Sequence, residues 1–189
     1  GLACAMHQGD RDWALLCTRR ALEASTDPLP VLNRTYVEIV SEGREPPLDE
    51  DLVAALKRLR NEEPANPLWA EMLTYIRFKR ENWSELVDCL HQARAALEAG
   101  STKPLVFLLG AEAARQLRLL DESLELLRAG RAAHPDEPVF LNNLAFVLAQ
   151  RPDTVNEAAR LLPELQARAA KDPQMLDTMV TILIRSGRL

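Results

Sequence analysis

The chain has 189 residues, of which 47% are apolar and only seven are glycine, so it contains ample material for a helical core. Its formal net charge of −5 argues against a nucleic-acid partner, because binding to a phosphate backbone requires clustered positive charge. No apolar run approaches the roughly 18 residues of a membrane span, so no membrane insertion is expected.

Apolar residues recur three, four and seven places apart in successive segments, which indicates helices with one buried face. The pattern divides the chain into six repeats of about 36 residues. Their approximate bounds are 1–28 (partial), 29–65, 66–100, 101–136, 137–172 and 173–189 (partial). Prolines close four of them, at Pro28, Pro64, Pro135 and Pro173, and Ala99-Gly100 ends the third. Each complete repeat predicts two helices joined by a turn.

In the first two repeats, residues 2–8 predict the end of a helix and residues 13–24 a second helix. Residues 31–42 and 49–61 predict the next pair, with an extended turn at 44–47 and Asp49 as an N-cap. Leu52, Leu56 and Leu59 form the predicted buried stripe of the second helix in this pair. This pattern indicates a chain that begins partway through a repeat.

The third and fourth repeats carry clearer start signals. Asn66-Pro67 predicts one helix start, with proline at the first helical position, and Asn82 begins the partner helix. Pro104 opens the fourth repeat, and the acidic pair Asp121-Glu122 precedes its second helix.

The fifth and sixth repeats begin at Pro138 and Pro173. Thr154-x-x-Glu157 matches a capping box for the helix between them. Pro163 lies about nine residues into that helix and predicts a kink, because proline removes a backbone hydrogen bond and clashes with the preceding turn. Gly187 predicts the end of the last helix.

Four apolar or small residues recur at fixed spacing in the first helix of each repeat, and we call these positions the first-helix slots. In the third to sixth repeats they are Trp69, Met72, Leu73 and Ile76; Val106, Leu109, Gly110 and Ala113; Leu141, Leu144, Ala145 and Leu148; and Leu176, Met179, Val180 and Leu183. Ala158 and Leu162 continue the pattern into the second helix of the fifth repeat.

This pattern resembles the tetratricopeptide repeat, a helix pair of about 34 residues with W, L-G, Y, A and F positions and a closing proline. The resemblance implies an all-α fold, a right-handed α-solenoid of antiparallel helix pairs. Armadillo and HEAT repeats, at about 40–47 residues, fit the period less well. The acidic balance disfavours RNA-reading pentatricopeptide repeats.

In such arrays the first helices line a concave groove in which a peptide lies. Carried over by position, the resemblance implies these peptide-binding candidates: Asn33, Arg34, Arg77, Phe107, Asn142, Phe146 and Asp177. The amides of Asn142 and Asn143 suit a peptide backbone, although the favoured interpretation of Asn143 is a local hydrogen bond. Phe107 and Phe146 could form an apolar floor, but a one-residue slip in the alignment would bury them between repeats.

We expect no catalysis, no cofactor and no metal. The chain has no Walker loop, no G-x-S-x-G and no G-x-G-x-x-G. Its three cysteines, Cys4, Cys17 and Cys89, form no C-x-x-C pair and are expected to be structural thiols. The histidines His7, His91 and His134 fall in different repeats.

The resulting hypothesis is a protein–protein interaction scaffold or adaptor that binds a peptide or protein segment. Clamping of acidic chaperone tails is disfavoured, because the lysines of that clamp are missing. The chain looks most like bacterial arrays. The opening Gly1-Leu-Ala carries no signal-peptide pattern and suggests a piece of a longer protein, so the compartment stays open, with the cytoplasm favoured.

Two alternative functions remain. The chain could be a regulatory or substrate-docking region of a larger enzyme. It could also be a self-association module that forms a homodimer through its apolar C-terminal helix, which carries Met179, Ile182, Leu183 and Ile184 where a terminal capping helix would be polar.

Stability measurements can test which side chains of the fifth repeat face the core and which face the groove. Leu144→Ala should lower the free energy of unfolding by about 2–5 kcal/mol, the usual cost of truncating a buried leucine. Asn142→Ala should cost little if it faces the groove. Thermal melting of the two variants checks this, and equal shifts would contradict the predicted facing.

Overall fold

The computed structural model describes residues 15, 18–20, 30–41, 48, 50–80, 82–169 and 174–188. All regular secondary structure in these ranges is helical, which confirms the all-α prediction. The chain divides into two compact units, Gly1–Ser101 and Thr102–Leu189, and the division falls next to the predicted boundary between the third and fourth repeats. Within the described ranges, no helix is both long enough and apolar enough to cross a membrane.

Four helices of the N-terminal unit pack in sequence, each against the next. They are α1 (Pro30–Ser41), α2 (Glu50–Glu62), α3 (Pro67–Lys79) and α4 (Trp83–Glu98). The predicted stripe of Leu52, Leu56 and Leu59 is fully buried and packs with Tyr36 and Leu73. The periodic apolar residues therefore form the core of this unit, as the sequence predicts.

Six helices form the described part of the C-terminal unit. They are α5 (Pro104–Gln116), α6 (Leu120–Ala133), α7 (Pro138–Ala149), α8 (Val155–Arg160), α9 (Leu162–Ala169) and α10 (Gln174–Arg185). Helix α6 packs against both α5 and α7, and α7 contacts α8, α9 and α10 as well. Helix α7 is therefore the central element of this unit, and Leu144 on it is buried, as predicted.

The predicted helix starts of the third repeat are confirmed, and one further prediction is wrong. The Asn66 side chain accepts a hydrogen bond from the Leu68 backbone N–H at 3.2 Å, and Asn82 accepts from Glu85 N–H at 3.0 Å. Thr154 forms no capping box. Its hydroxyl donates instead to the carbonyl oxygen of Leu148 at 2.7 Å, because the short turn after α7 brings that unpaired carbonyl within reach.

Three described helices end with a left-handed residue. Gly100 has φ +91° and Gly187 has φ +66°, which confirms both predicted glycine stops. At the end of α5 the same role falls to Arg118, with φ +64°, and the Leu119 N–H donates to the Ala114 carbonyl at 2.9 Å to close the turn. A side chain in this conformation is strained, since its Cβ crowds the backbone.

The kink predicted at Pro163 is confirmed as a break between two helices. Helix α8 ends at Arg160 and α9 begins at Leu162. Because proline has no N–H, the helical bond that residue 163 would donate to Ala159 cannot form, and the chain turns at Leu161.

Several predictions lie outside the described residues. They include the helix at 2–8, most of the helix at 13–24, the turn at 44–47, the Asp49 cap, and the closing residues Pro28 and Pro173. The right-handed sense of the predicted solenoid stays a prediction.

Helices α6 and α7 approach closely at Gly130. A Cβ atom at this position would lie 2.2 Å from the Phe140 ring, and Phe140 itself is completely buried. A glycine in the middle of a helix is normally unfavourable, by roughly 0.5–1 kcal/mol relative to alanine. Here it leaves the space that the aromatic ring occupies.

Gly130→Ala should therefore destabilise the C-terminal unit by about 1–3 kcal/mol, the usual cost of overpacking, despite the higher helix propensity of alanine. Chemical denaturation would measure the change. The control is a double-mutant cycle with Phe140→Leu, in which the smaller side chain should relieve part of the clash. Strictly additive effects would show that the ring and Gly130 do not interact.

Candidate functional site

A concave site in the C-terminal unit lies between α5 and α7, with α6 behind it. Its volume is about 130 Å³. Its lining residues, which define the α5–α7 cleft, are Leu108, Ala111, Glu112 and Arg115 from α5, Ser123 and Leu127 from α6, and Asn143, Phe146 and Val147 from α7. On both α5 and α7 the lining residues are three and four positions apart, so each helix contributes one face to the cleft.

The floor of the cleft is largely apolar. Ala111 and Leu127 are buried, and the buried Ser123 hydroxyl donates to the Ala111 carbonyl oxygen at 2.8 Å, so it is already satisfied. Phe146 contributes an aromatic ring at the opening and remains 36% exposed. An apolar group of a ligand would therefore meet carbon atoms at the base and an aromatic side chain at the edge.

The polar edge of the cleft combines an ion pair with an amide. The Arg115 Nε donates to Glu112 Oε2 at 2.7 Å, and Gln116 Nε2 donates to Glu112 Oε1 at 3.0 Å. Burial alone would raise the pKa of Glu112, but hydrogen bonds from Arg115 and Gln116 outweigh it and hold the pKa below its usual value. The Asn143 side chain makes no hydrogen bond to any residue that the structure describes.

Of the four predicted site residues in this unit, only Phe146 lines the cleft. Phe107 is 7% exposed and packs edge-on against His134 and Phe140, with centroids 6.1 and 6.3 Å away. Asn142 is half-buried, and its Oδ1 has no hydrogen-bond partner in the described part of the chain. Asp177 is exposed in the first turn of α10, away from the cleft lining.

The three predicted residues of the N-terminal unit do not form a common surface. Asn33 is completely buried, and neither polar atom of its amide has a partner among the described residues. Arg34 is exposed, pairs with Glu63 and lies over the Trp69 ring, 5.8 Å from its centroid. Arg77 is buried, so the structure places it in a helix contact and not on an open groove.

The contacts of Arg77 explain its burial. Its Nη1 donates to Glu85 Oε2 at 2.5 Å, and its Nε lies 3.6 Å from Asp88 Oδ2, so it joins α3 to α4. Arg80 donates to the other oxygen of Glu85 at 3.3 Å. Burial would raise the pKa of Glu85, but hydrogen bonds and charges from Arg77 and Arg80 outweigh it and keep the pKa below its ordinary value.

Two lining residues directly follow predicted ones. Leu108, which the sequence did not single out, follows Phe107, and Asn143, which the sequence did single out, follows Asn142. One residue corresponds to about 100° of rotation around a helix, so a slip of one place exchanges a buried side for an open one. In the sequence, the three- and four-residue spacing of Leu108, Ala111 and Arg115 already indicated that these residues share one helical face.

A second concavity lies in the N-terminal unit, at the ends of α2 and α4 and the start of α3. Its volume is about 860 Å³, and small side chains such as Ala65, Ala70 and Ala95 line much of it. Arg60 reaches into this region, but its Nη1 already donates to Gln92 Oε1 at 2.7 Å.

The described residues contain neither a candidate metal site nor an activated thiol. No group of three His, Cys, Asp or Glu side chains within them could hold a metal ion. Cys89 is completely buried, as predicted for a structural thiol, and burial raises its pKa to about 12. Cys4, Cys17 and His7 lie outside the described ranges.

Comparison with models of known protein families and with curated proteins gives no match for this chain.

Glu85→Gln should destabilise the N-terminal unit at pH 7 by about 1–3 kcal/mol, because it removes a charge-assisted bond from the buried Arg77. A carboxyl whose pKa is lowered on folding stabilises the fold above its unfolded pKa, and the effect is lost as pH falls through the folded pKa. The difference between the variant and the wild type should therefore shrink below about pH 4.

Urea denaturation at several pH values measures this difference. Glu50→Gln is the matched control, since Glu50 also pairs with Arg80 but its side chain is 78% exposed and its loss should cost little. A Glu85→Gln effect that does not change with pH would contradict the ionic role of Glu85.

Proposed function

We propose that this chain is a non-catalytic interaction module that binds an extended segment of a partner protein, with one apolar side chain of that segment in the α5–α7 cleft. The observation that carries the proposal is a partly apolar cavity of about 130 Å³ beside the Asn143 amide. We also propose membership of the tetratricopeptide superfamily, which the succession of paired helices supports.

The size of the cleft fits one side chain. An engineered protein cavity of about 150 Å³ lined by apolar residues accepts benzene. The α5–α7 cleft is slightly smaller, so a leucine, isoleucine or phenylalanine side chain is the expected occupant. The exposed ring of Phe146 would become covered in the complex, and burial of its apolar surface would favour binding.

The polar edge fits a peptide backbone. The Asn143 amide presents one acceptor and two donors, so it can bond both the C=O and the N–H of an extended chain. Arg115 and Glu112 neutralise each other, so the edge carries no net charge that would select a charged anchor. An uncharged apolar residue within an extended segment meets both requirements.

Peptide selection tests the proposal. A library of displayed random peptides would be selected on the folded chain, and binding of an enriched peptide measured by calorimetry. Phe146→Ala should weaken binding at least about tenfold, which corresponds to about 1.4 kcal/mol. Replacing the apolar anchor of the peptide with aspartate should have a similar effect.

Two variants provide matched controls. Trp83→Ala removes a more exposed aromatic ring, 63% accessible, from the N-terminal unit and should leave binding unchanged. The Asn142→Ala variant should bind the enriched peptide more tightly than the Asn143→Ala variant does, because only Asn143 lines the cleft. Failure to enrich any peptide, or equal binding by Phe146→Ala and the wild type, would refute the proposal.

A further inference from the structure

Helix α10 carries a continuous apolar stripe on its exposed side. Leu176, Val180 and Ile184 are 51%, 49% and 61% exposed, and their four-residue spacing places them on one face. We call these three residues the α10 stripe. No other described helix exposes three large apolar side chains in this way.

The opposite face of α10 forms its contact with the C-terminal unit. Met175, Thr178 and Ile182 are buried, while α10 packs against α7, α8 and α9. At about 100° per residue, these buried positions lie roughly across the helix from Val180. The α10 stripe is therefore a second apolar surface and not the edge of the existing core.

In the earlier repeats, another helix covers the positions that correspond to Leu176 and Val180. Leu176 and Val180 occupy the first and third first-helix slots. The first slot is buried in the three earlier repeats at Trp69, Val106 and Leu141, and so is the third slot at Leu73, Gly110 and Ala145. In each of those repeats the next helix along the chain, α4, α6 or α8, packs against the first helix. In this fold, a packed helix therefore buries the residues at these slots.

We propose that a second copy of this chain supplies the cover, with the two α10 helices packed antiparallel around a twofold axis. A twofold interface requires a surface that matches itself, and a stripe centred on Val180 does so. Among the described residues no other helix exposes such a face, so a second α10 is the complement that they offer. This inference goes beyond the proposed peptide binding and does not depend on it.

Charge at the two ends of α10 favours the antiparallel arrangement. Asp177 lies in the first turn, whereas Arg185 ends the helix and Arg188 follows it. Antiparallel packing brings the acidic end of one copy beside the basic end of the other and also opposes the helix dipoles. A parallel pair would bring like charges together at both ends.

The interface is small, so we expect a weak dimer with a micromolar dissociation constant. Sedimentation equilibrium of the intact chain between about 1 and 500 µM should show a monomer that becomes a dimer. Val180→Glu should weaken association at least about tenfold, because it places a charge in the apolar centre. Leu105→Glu, at a position 50% exposed on α5, is the matched control and should associate normally.

Charge reversal tests the orientation. Asp177→Lys alone, and Arg185→Asp with Arg188→Asp in a second variant, should each associate more weakly than the wild type. An equimolar mixture of the two variants should recover association, because both ends then carry opposite charges. Melting curves at monomeric concentrations check that each variant is folded.

A chain that stays monomeric over the whole range would overturn the proposal. So would a dimer that survives Val180→Glu, or one that Leu105→Glu disrupts equally. If Asp177→Lys leaves association unchanged, the antiparallel arrangement is wrong. None of these outcomes alters peptide binding at Phe146, so the two proposals fail separately.

Discussion

The close contact between Gly130 of α6 and the Phe140 ring of α7 sets the geometry of the C-terminal unit. Because glycine has no side chain, the buried ring packs directly against the backbone of α6. His134 stacks on the same ring at 5.9 Å, which further fixes the start of α7. Asn143 and Phe146 lie one and two turns further along that helix. Their position opposite α5, and therefore the α5–α7 cleft, depends on this contact.

Ion pairs between successive repeats recur at corresponding places in both units. Arg80, just after α3, donates to Glu50 at the start of α2, and Arg151, just after α7, pairs with Asp121 at the start of α6. Each pair spans 30 residues, close to one repeat. The acidic partners are well exposed, so these pairs contribute little stability.

The two proposed binding surfaces differ in the groups that they leave unsatisfied. The α5–α7 cleft offers a small, partly apolar cavity and the amide of Asn143, which together suit an extended backbone with one inserted side chain. The α10 stripe offers apolar side chains without a polar group among them, and a helix satisfies its own backbone hydrogen bonds before it packs. The chemistry of each surface thus selects a different conformation in its partner.

The sequence by itself determined the all-α class and most helix ends, because local residues create these features. Asn66, Asn82 and Gly100 act within one turn of their own position, and Pro163 breaks its helix for the same reason. The facing of side chains around the helices was decided only by the tertiary structure. Phe107 is buried while Phe146 is open, because the rotation of each helix depends on packing against elements distant in sequence.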